Sequence, residues 1–178
     1  MTGLVVRDAT TADAAACAAV YAPYVLGTAA SFELDPPGAE ELALRIAAAL
    51  RTHAWLVAER DGTPVGYAYA TAYKPRPAYR WTCEVSVYVD AAQQRGGVGR
   101  SLYLALLERL AARGFRTAVA TMTLPNAASA GLHEALGFSP AGMLARVGWK
   151  HGHWHDVALL RRTLGPELGD AGPPAEPS

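Results

Sequence analysis

Runs of apolar residues change their spacing near Trp55, and this change separates two kinds of predicted element. Before it, a short apolar strand at 4–7 is followed by two Ala-rich stretches, 13–25 and 39–51, whose composition favours helices. After it, apolar and β-branched residues fall into short runs bounded by turn residues, which is typical of strands. These later strands are predicted at 55–59, 65–73, 81–89, 117–121, 142–149 and 155–162.

Two helices interrupt the later strands, and each is followed by a glycine. The first, within 96–112, precedes Gly114, and the second, 126–136, precedes Gly137. Glycine is the residue type that most often ends a helix. The resulting order is one strand, two helices, three strands, a helix, a strand, a helix and two strands. It predicts an α/β (α+β) fold in which helices flank one mixed central β-sheet.

The length of the chain fits a single domain. It has 178 residues, of which 51% are hydrophobic, enough to build a core of its own. We expect the domain to span 1–164. The remaining segment, 165–178, is rich in Gly and Pro and has no apolar periodicity, so it is predicted to be a disordered tail.

Composition and charge exclude several classes of partner. Sixteen basic and sixteen acidic side chains balance, so binding to nucleic acid through a strongly basic surface is not expected. No apolar run approaches the roughly 18–20 residues that a membrane span requires, and residues 1–8 lack the pattern of a signal peptide. The two cysteines, Cys17 and Cys83, form no disulfide framework. These features predict a cytoplasmic protein with free thiols that binds neither nucleic acid nor membranes.

A glycine-rich turn between a strand and a helix carries the clearest chemical signal. The Val-rich strand runs into the segment 94–100, Gln-Arg-Gly-Gly-Val-Gly-Arg, which opens directly into a helix. Unpaired backbone N–H groups at such a turn, together with the helix dipole, attract anions. Gly97 and Gly99 would let a phosphate approach the backbone closely, and Arg95 and Arg100 would add positive charge. The turn is therefore a candidate pyrophosphate site, and the alternative is an ordinary tight turn.

Two well-known nucleotide loops fit this turn poorly. A Walker loop requires a lysine after its glycines, and a dinucleotide fingerprint requires a third glycine at position 102, where Leu102 stands. The pattern Gln94-x-x-Gly97-x-Gly99 after a strand instead resembles the coenzyme A pyrophosphate loop of the GNAT N-acetyltransferases. Further segments resemble, in the same order, the phosphinothricin and methionine sulfoximine N-acetyltransferases of that family: 66–73, 78–84, 124–126, 132–138 and 150–156.

This resemblance implies the GNAT fold, acetyl-CoA as cosubstrate, a small amino-acid-like acceptor, no metal and a homodimer. It also implies which residues bind the coenzyme. The backbone at Val87, Tyr88 and Val89 would pair with the pantetheine arm as an added strand does. The other implied coenzyme residues are Arg95, Gly96, Gly97, Val98, Gly99, Arg100 and Asn126. Asn126 follows a proline and opens a helix, so it is also a candidate N-cap.

Glu84 is the first candidate for catalysis. Alternation along its strand places it on one face with Thr82, Ser86 and Tyr88, while the valines and Cys83 take the other face. Acetyl transfer to an amine requires a base that removes a proton from the substrate ammonium, and burial makes a carboxylate a stronger base. In the resembled family, the glutamate at this place is the proposed general base. The alternative is a glutamate on an edge strand that points to solvent.

His133 is the second candidate, again through the resemblance. It lies two helical turns beyond Asn126, and the matching histidine of phosphinothricin acetyltransferases has been proposed to take part in catalysis. The alternative is a structural histidine in the helix.

A Pro-rich loop before the Glu84 strand is the candidate for acceptor binding. A basic side chain there could grip a carboxylate or phosphinate, and the alternative is a solvated basic loop. Phe32 matches an aromatic residue of an early loop in the resembled family, and it would wall the acceptor pocket or pack in the core. The predicted acceptor-binding residues are therefore Phe32, Lys74, Arg76, Pro77, Ala78 and Tyr79.

The sequence His151-x-His153-x-His155 would place three imidazoles on one face of a strand, a spacing that could bind Zn²⁺. Gly152 and the charge of Lys150 favour a loop instead. Since the resembled family needs no metal, we expect these histidines at the acceptor mouth or in a dimer contact.

The sequence therefore predicts an acetyl-CoA-dependent N-acetyltransferase acting on the α-amino group of a small amino acid or analogue, of phosphinothricin or methionine sulfoximine type. One alternative is acetylation of a protein N-terminus or lysine, which would need an open groove. A second is a non-catalytic acyl-CoA-binding module, against which the presence of Glu84 argues.

Overall fold

The order of elements along the chain is the one that the apolar pattern predicts. The computed structural model describes residues 3–165 and 175–177, and these contain seven strands and four α-helices. The strands are Leu4–Asp8 (β1), Ala54–Arg60 (β2), Thr63–Ala72 (β3), Thr82–Val89 (β4), Thr117–Thr123 (β5), Ser139–Lys150 (β6) and His153–Thr163 (β7). The helices are Ala14–Gly27 (α1), Ala39–Thr52 (α2), Val98–Ala112 (α3) and Ala127–Ala135 (α4).

All the described strands form one mixed sheet, in the order β1-β2-β3-β4-β5-β7-β6. Neighbouring strands are antiparallel except β4 and β5, which run parallel. The predicted mixed α/β architecture is thus confirmed. None of the described helices is long and apolar enough to cross a membrane.

The parallel pair in the middle of the sheet is short. β3 pairs with β4 from Cys83 to Val89, but β5 pairs with β4 only from Thr82 to Glu84. Within the described residues, the edge of β4 that faces β5 therefore has no strand partner beyond Glu84. The two strands separate there, and a groove opens in the sheet.

Helices cover both faces of the sheet, which explains why β2 is apolar without alternation from Ala54 to Ala58. Leu56 belongs to the buried cluster that contains Leu106 of α3. Trp55 and Val57 belong to the cluster on the opposite face, together with Ile46 of α2. Each face of β2 thus meets a helix, and no polar position is required.

The β6 strand is longer than its apolar pattern predicts, 139–150 instead of 142–149. Its register against β7 shifts twice, between Pro140 and Gly142 and between Leu144 and Gly148. Arg146, within the second shift, has a positive φ of 51°, and its N–H donates to the Asp156 carboxylate at 2.7 Å. Such bulges interrupt the two-residue alternation on which strand prediction depends.

The tail predicted at 165–178 lies mostly outside the described residues, which leave out 166–174 and 178. The backbone oxygen of Ala175 accepts a hydrogen bond from Trp81 Nε1 at 3.0 Å, and Glu176 pairs with Arg80 at 3.0 Å.

Candidate active site

A cavity of about 540 Å³ lies on the α1 side of the sheet, beside the point where β4 and β5 separate. The predicted alternation along β4 is confirmed, because Glu84, Ser86 and Tyr88 line this cavity while Cys83 and Val85 are buried on the other face. The remaining lining residues come from six other segments: Tyr21, Ala30, Ser31, Phe32, Glu33, Tyr69, Thr121, Met122, Thr123, Val147 and Val157.

Glu84 is half-buried in this cavity and does not lie on an edge strand, since β4 is flanked by β3 and β5. Its Oε1 accepts a hydrogen bond of 2.9 Å from Thr121 Oγ1 on β5. Glu84 takes part in none of the ion pairs found among the described residues. Its carboxylate is thus oriented by a hydroxyl, and no cationic side chain in the described ranges pairs with it.

Glu33, the second carboxylate of the cavity, has its own partners. Arg45 donates two hydrogen bonds to it, at 2.7 and 3.1 Å, and the Tyr21 hydroxyl donates a third at 3.0 Å. The hydrogen bonds from Arg45 lower the pKa of Glu33, so it stays charged at neutral pH. No Lys, Arg or His is among the described residues that line the cavity. The cavity therefore suits a ligand that carries an ammonium group.

The groove between β4 and β5 fits an extended chain. Beyond Glu84 the backbone of β4 is paired on the β3 side only, so Val87, Tyr88 and Val89 border the open edge. An extended ligand can add to such an edge through main-chain hydrogen bonds. This arrangement fits the predicted pairing of β4 with a pantetheine arm.

The glycine-rich turn lies at the end of this groove. Gly97 caps α3 with a positive φ of 77°, a conformation that favours glycine, and its carbonyl accepts the N–H of Ser101 at 3.0 Å. The backbone N–H groups at positions 98–100 precede that bond and have no partner within the helix. N–H groups at a helix N-terminus attract anions, so this turn has the geometry that a pyrophosphate site requires, and the pyrophosphate assignment stays a prediction.

Tyr24 was missed by sequence reasoning because no motif marks it. Its hydroxyl donates to the Val89 carbonyl at 2.6 Å and accepts from Gln94 Nε2 at 3.2 Å. It thus connects the end of β4 to the first residue of the glycine-rich turn. Thr121, Glu33 and Tyr69 were missed as well, since each belongs to a different element from Glu84.

Asn126 is confirmed as the N-cap of α4, with its Oδ1 accepting the N–H of Ser129 at 3.0 Å. His133, in the same helix, is only 3% exposed and does not line the Glu84 cavity. Its Nδ1 bonds to the Ser129 carbonyl at 2.7 Å, and its Nε2 lies 3.2 Å from the Tyr103 hydroxyl. Burial lowers the pKa of His133, so the ring is neutral at pH 7 and packs between α3 and α4.

The structure separates the predicted acceptor-binding residues. Phe32 lines the cavity that contains Glu84. The Pro-rich loop lies elsewhere: Lys74, Arg76, Pro77 and Tyr79 line a second cavity of about 370 Å³, beside His53 and Phe115, and Ala78 lines neither.

The histidines at the β6–β7 turn make separate contacts. His151 Nε2 lies 3.3 Å from the Thr28 carbonyl, and His155 Nε2 lies 3.0 Å from the Lys150 carbonyl. In the described part of the chain, no three His, Cys, Asp or Glu side chains are placed to hold a metal ion.

Comparison with known proteins decides the family, because residues 6–159 match the acetyltransferase (GNAT) domain. The chain belongs to the GNAT acetyltransferase family. It is 46% identical over 162 residues to the phosphinothricin N-acetyltransferase of Alcaligenes faecalis, covering 90% of this chain and 81% of that protein. It is 37% identical over 163 residues to an L-methionine sulfoximine/L-methionine sulfone acetyltransferase of Pseudomonas paraeruginosa, covering 90% of this chain and 95% of that protein.

A solved structure supports the same assignment. The phosphinothricin acetyltransferase of Sinorhizobium meliloti, in complex with acetyl-CoA, superposes with a TM-score of 0.91 at 37% identity, over 99% of this chain and 95% of that one. This GNAT chain is thus an acetyltransferase that uses acetyl-CoA, and the predictions of family, fold and cosubstrate are confirmed.

Proposed function

We propose that this GNAT enzyme acetylates the α-amino group of a small amino acid or amino-acid analogue, of phosphinothricin or methionine sulfoximine type, by direct transfer from acetyl-CoA. One observation carries the proposal. Glu84, which forms no ion pair within the part of the chain that the structure describes, faces a cavity of about 540 Å³ beside the groove where β4 is open. A cavity of this volume suits a small molecule.

The chain's own residues supply what the reaction needs. The coenzyme brings the acetyl thioester. The backbone of Val87, Tyr88 and Val89 positions its arm, and the N–H groups at the start of α3 hold its phosphates. Glu84 removes a proton from the acceptor ammonium, directly or through a water molecule, and so exposes the nitrogen lone pair for attack. His133 transfers no proton in this mechanism, because its ring is buried outside the cavity.

The relatives support the substrate class. Two of them are named for phosphinothricin and for methionine sulfoximine or sulfone, at 46% and 37% identity. All three acceptors are amino acids with a tetrahedral polar group in the side chain, and the cavity offers hydroxyls from Ser86, Thr121 and Thr123 to bind such a group.

An acceptor screen tests the proposal. Thiol release from acetyl-CoA is measured with L-amino acids, their sulfoximines, sulfones and phosphinates, simple amines and peptides. The proposal expects free amino acids or their analogues to be turned over by the wild-type enzyme and only poorly by Glu84→Gln. Turnover of peptides alone would contradict the substrate class. The screen must include peptides, because one solved neighbour at 34% identity is named a ribosomal-protein-alanine N-acetyltransferase, from Brucella melitensis.

We further propose that the enzyme is a cytoplasmic homodimer. The edge strand β6 supports a dimer, since large apolar side chains on it are exposed: Met143 at 61%, Leu144 at 46%, Val147 at 51% and Trp149 at 57%. An exposed apolar surface of this kind is typical of an interface. The unpaired, buried thiols of Cys17 and Cys83 fit a reducing compartment.

A further inference from the structure

One segment of the cavity wall has no regular secondary structure of its own. Residues 28–33, here called the roof loop, follow α1 directly, and four of them line the Glu84 cavity. Inside the loop, the Thr28 hydroxyl donates to the Tyr24 carbonyl at 2.7 Å and accepts from the Ala30 N–H at 3.1 Å. These short local bonds shape the turn, but they do not determine where the loop sits over the cavity.

Lys150, the last residue of β6, connects the roof loop to the sheet. It is only 4% exposed, whereas Lys74, the other lysine of the sequence, is on the surface. Its Nζ donates to the Val25 carbonyl at 2.6 Å and to the Ser31 carbonyl at 2.7 Å. Val25 lies in the last turn of α1, where carbonyls lack helical partners and a cation is favoured. One ammonium group therefore joins the end of α1, the roof loop and β6.

Gly148, two residues earlier on the same strand, provides a second contact. A β-carbon at position 148 would overlap the ring of Phe32, so the ring lies directly on the strand backbone where glycine leaves room. The Phe32 ring also lies 6.1 Å from that of His155 on β7. Phe32 is 40% exposed, and a larger residue at 148 would therefore displace the ring outward rather than disrupt the core.

The other side of the roof loop is attached to the helices. The Tyr21 hydroxyl of α1 lies 2.6 Å from Ser31 Oγ, and Arg45 of α2 pairs with Glu33. The loop is thus held between the helices and β6, and loss of either attachment would let it shift over the cavity.

We propose that Lys150 and Gly148 are positioning residues for the acceptor: they hold the roof loop, and with it Phe32, over Glu84 without touching the substrate themselves. The inference rests on the proposed function, and it assigns the end of β6 a role in acceptor recognition. The coenzyme groove lies on β4 and α3, whereas Lys150 and Gly148 lie on β6. Acceptor and coenzyme should therefore respond differently to changes at these two positions.

Lys150→Met tests the ammonium contact. It keeps the chain length and removes the donors, so the Val25 and Ser31 carbonyls lose their shared partner. We expect kcat/KM for the acceptor to fall by about tenfold to a hundredfold, since a misplacement of about 1 Å can cost about a hundredfold. The loss should arise mainly through KM, because Lys150 positions the loop and does not touch the reacting atoms. The affinity for acetyl-CoA should stay unchanged by calorimetry. Lys150→Arg, which keeps a charged donor, should recover part of the loss.

Gly148→Ala tests the second contact through a double-mutant cycle with Phe32→Ala. Gly148→Ala alone should raise the acceptor KM, since it displaces the ring. It should have almost no further effect in the Phe32→Ala background, where no ring remains to be displaced. Gly142→Ala is the matched control on the same strand, because a β-carbon there meets only Leu159 at an ordinary 3.8 Å.

Three results would overturn the inference while leaving the proposed function intact. The first is an acceptor KM equal to that of the wild type in folded Lys150→Met. The second is an equal loss of affinity for the acceptor and for acetyl-CoA. The third is that Gly148→Ala and Phe32→Ala raise the acceptor KM additively. Should Lys150→Met fail to fold, the Gly148 cycle decides alone. Absence of acetyl transfer to every amino acid by the wild-type enzyme would instead contradict the proposed function.

Discussion

Thr121 Oγ1 donates a hydrogen bond of 2.9 Å to Glu84 Oε1, across the line at which β5 and β4 cease to pair. The bond connects the two strands where the backbone ladder between them ends, and it aims the Glu84 carboxylate at the cavity on the α1 side. The carboxylate and the open edge of β4 thus lie next to each other, so an amine in the cavity would be close to an acyl group held in the groove.

Replacing Glu84 by Gln keeps the side chain's shape and removes its basicity. A positioned base contributes about 10²–10⁴-fold, and we expect kcat to fall within that range. The deficit should shrink at high pH, where solution supplies more of the free amine. Acetyl-CoA affinity should not change, because the glycine-rich turn is untouched. Initial rates from about pH 7 to pH 10 and calorimetry check these points. A Glu84→Gln variant that turns over at the wild-type rate near pH 7 would show that Glu84 is not the base.

Gly99 lies at the predicted pyrophosphate site, where a β-carbon would meet Leu132 at 3.5 Å and Val89 at 3.6 Å, both ordinary contacts. Gly99→Ala should therefore be accepted and serves as the matched control. Gly99→Asp adds a negative charge, and we expect acetyl-CoA binding to weaken by at least about tenfold, or 1.4 kcal/mol. Equal affinities of the Asp and Ala variants, measured by calorimetry on folded protein, would remove the pyrophosphate assignment.

His133 makes stability depend on pH. Burial lowers the pKa of His133 below its ordinary 6.5, so the unfolded chain binds a proton at a higher pH than the folded one. The free energy of unfolding should therefore fall as the pH drops below about 6.5. His53 shifts in the same direction and for the same reason. Denaturant titrations between about pH 5 and pH 8 should show a shallower dependence for His133→Met than for the wild type.

The same His133→Met variant separates a structural from a catalytic histidine. If the ring only packs between α3 and α4, kcat at pH 7 changes little in folded protein. A loss of about a hundredfold or more, with normal acetyl-CoA affinity, would support the role that the family resemblance implies for it.

Ending the chain after Leu164 should leave kcat and the melting temperature nearly unchanged. The described contacts of the tail include one hydrogen bond to Trp81, an exposed ion pair between Arg80 and Glu176, and the packing of Pro177 beside Gly114. Exposed ion pairs contribute only about 0–1 kcal/mol. Thermal unfolding and steady-state kinetics of the shortened chain test this expectation. A large drop in either would mean that the tail stabilises the domain or a dimer.

A dimer through β6 should be sensitive to charge on that strand. Leu144→Glu places a carboxylate among exposed apolar side chains, and we expect it to shift the molar mass in light scattering toward a monomer. Val5→Glu is the matched control, since Val5 is 54% exposed on β1, the opposite edge of the sheet. A monomeric wild type, or dissociation by both variants alike, would contradict this interface.

Much of the fold follows from local sequence pattern. The strand and helix order, the alternation of Glu84 with Ser86 and Tyr88, and the glycine-rich turn before α3 all depend on neighbours a few residues apart. Backbone geometry alone decides such features, because side chains alternate along any strand and a turn with positive φ favours glycine. The glycine-rich turn and the face of β4 that carries Glu84 were predictable for this reason.

The acceptor cavity was not predictable in the same way, because its walls come from segments that only the folded chain brings together. Thr121 reaches Glu84 through the pairing of β5 with β4, and the bulge in β6 brings Val147 to the cavity. The Pro-rich loop, adjacent to the Glu84 strand in sequence, lines a different cavity. Proximity along the chain therefore does not bring Lys74 and Arg76 to the Glu84 cavity.

Lys150 shows most clearly what the sequence determined and what it left to the tertiary structure. Its charge favours an exposed loop, and the sequence correctly places it beside the β6–β7 turn. Its burial was decided by the carbonyls of Val25 and Ser31, more than a hundred residues away along the chain. A buried ammonium is stable only where acceptors replace its water, and no local pattern reveals acceptors that the fold brings from a distance.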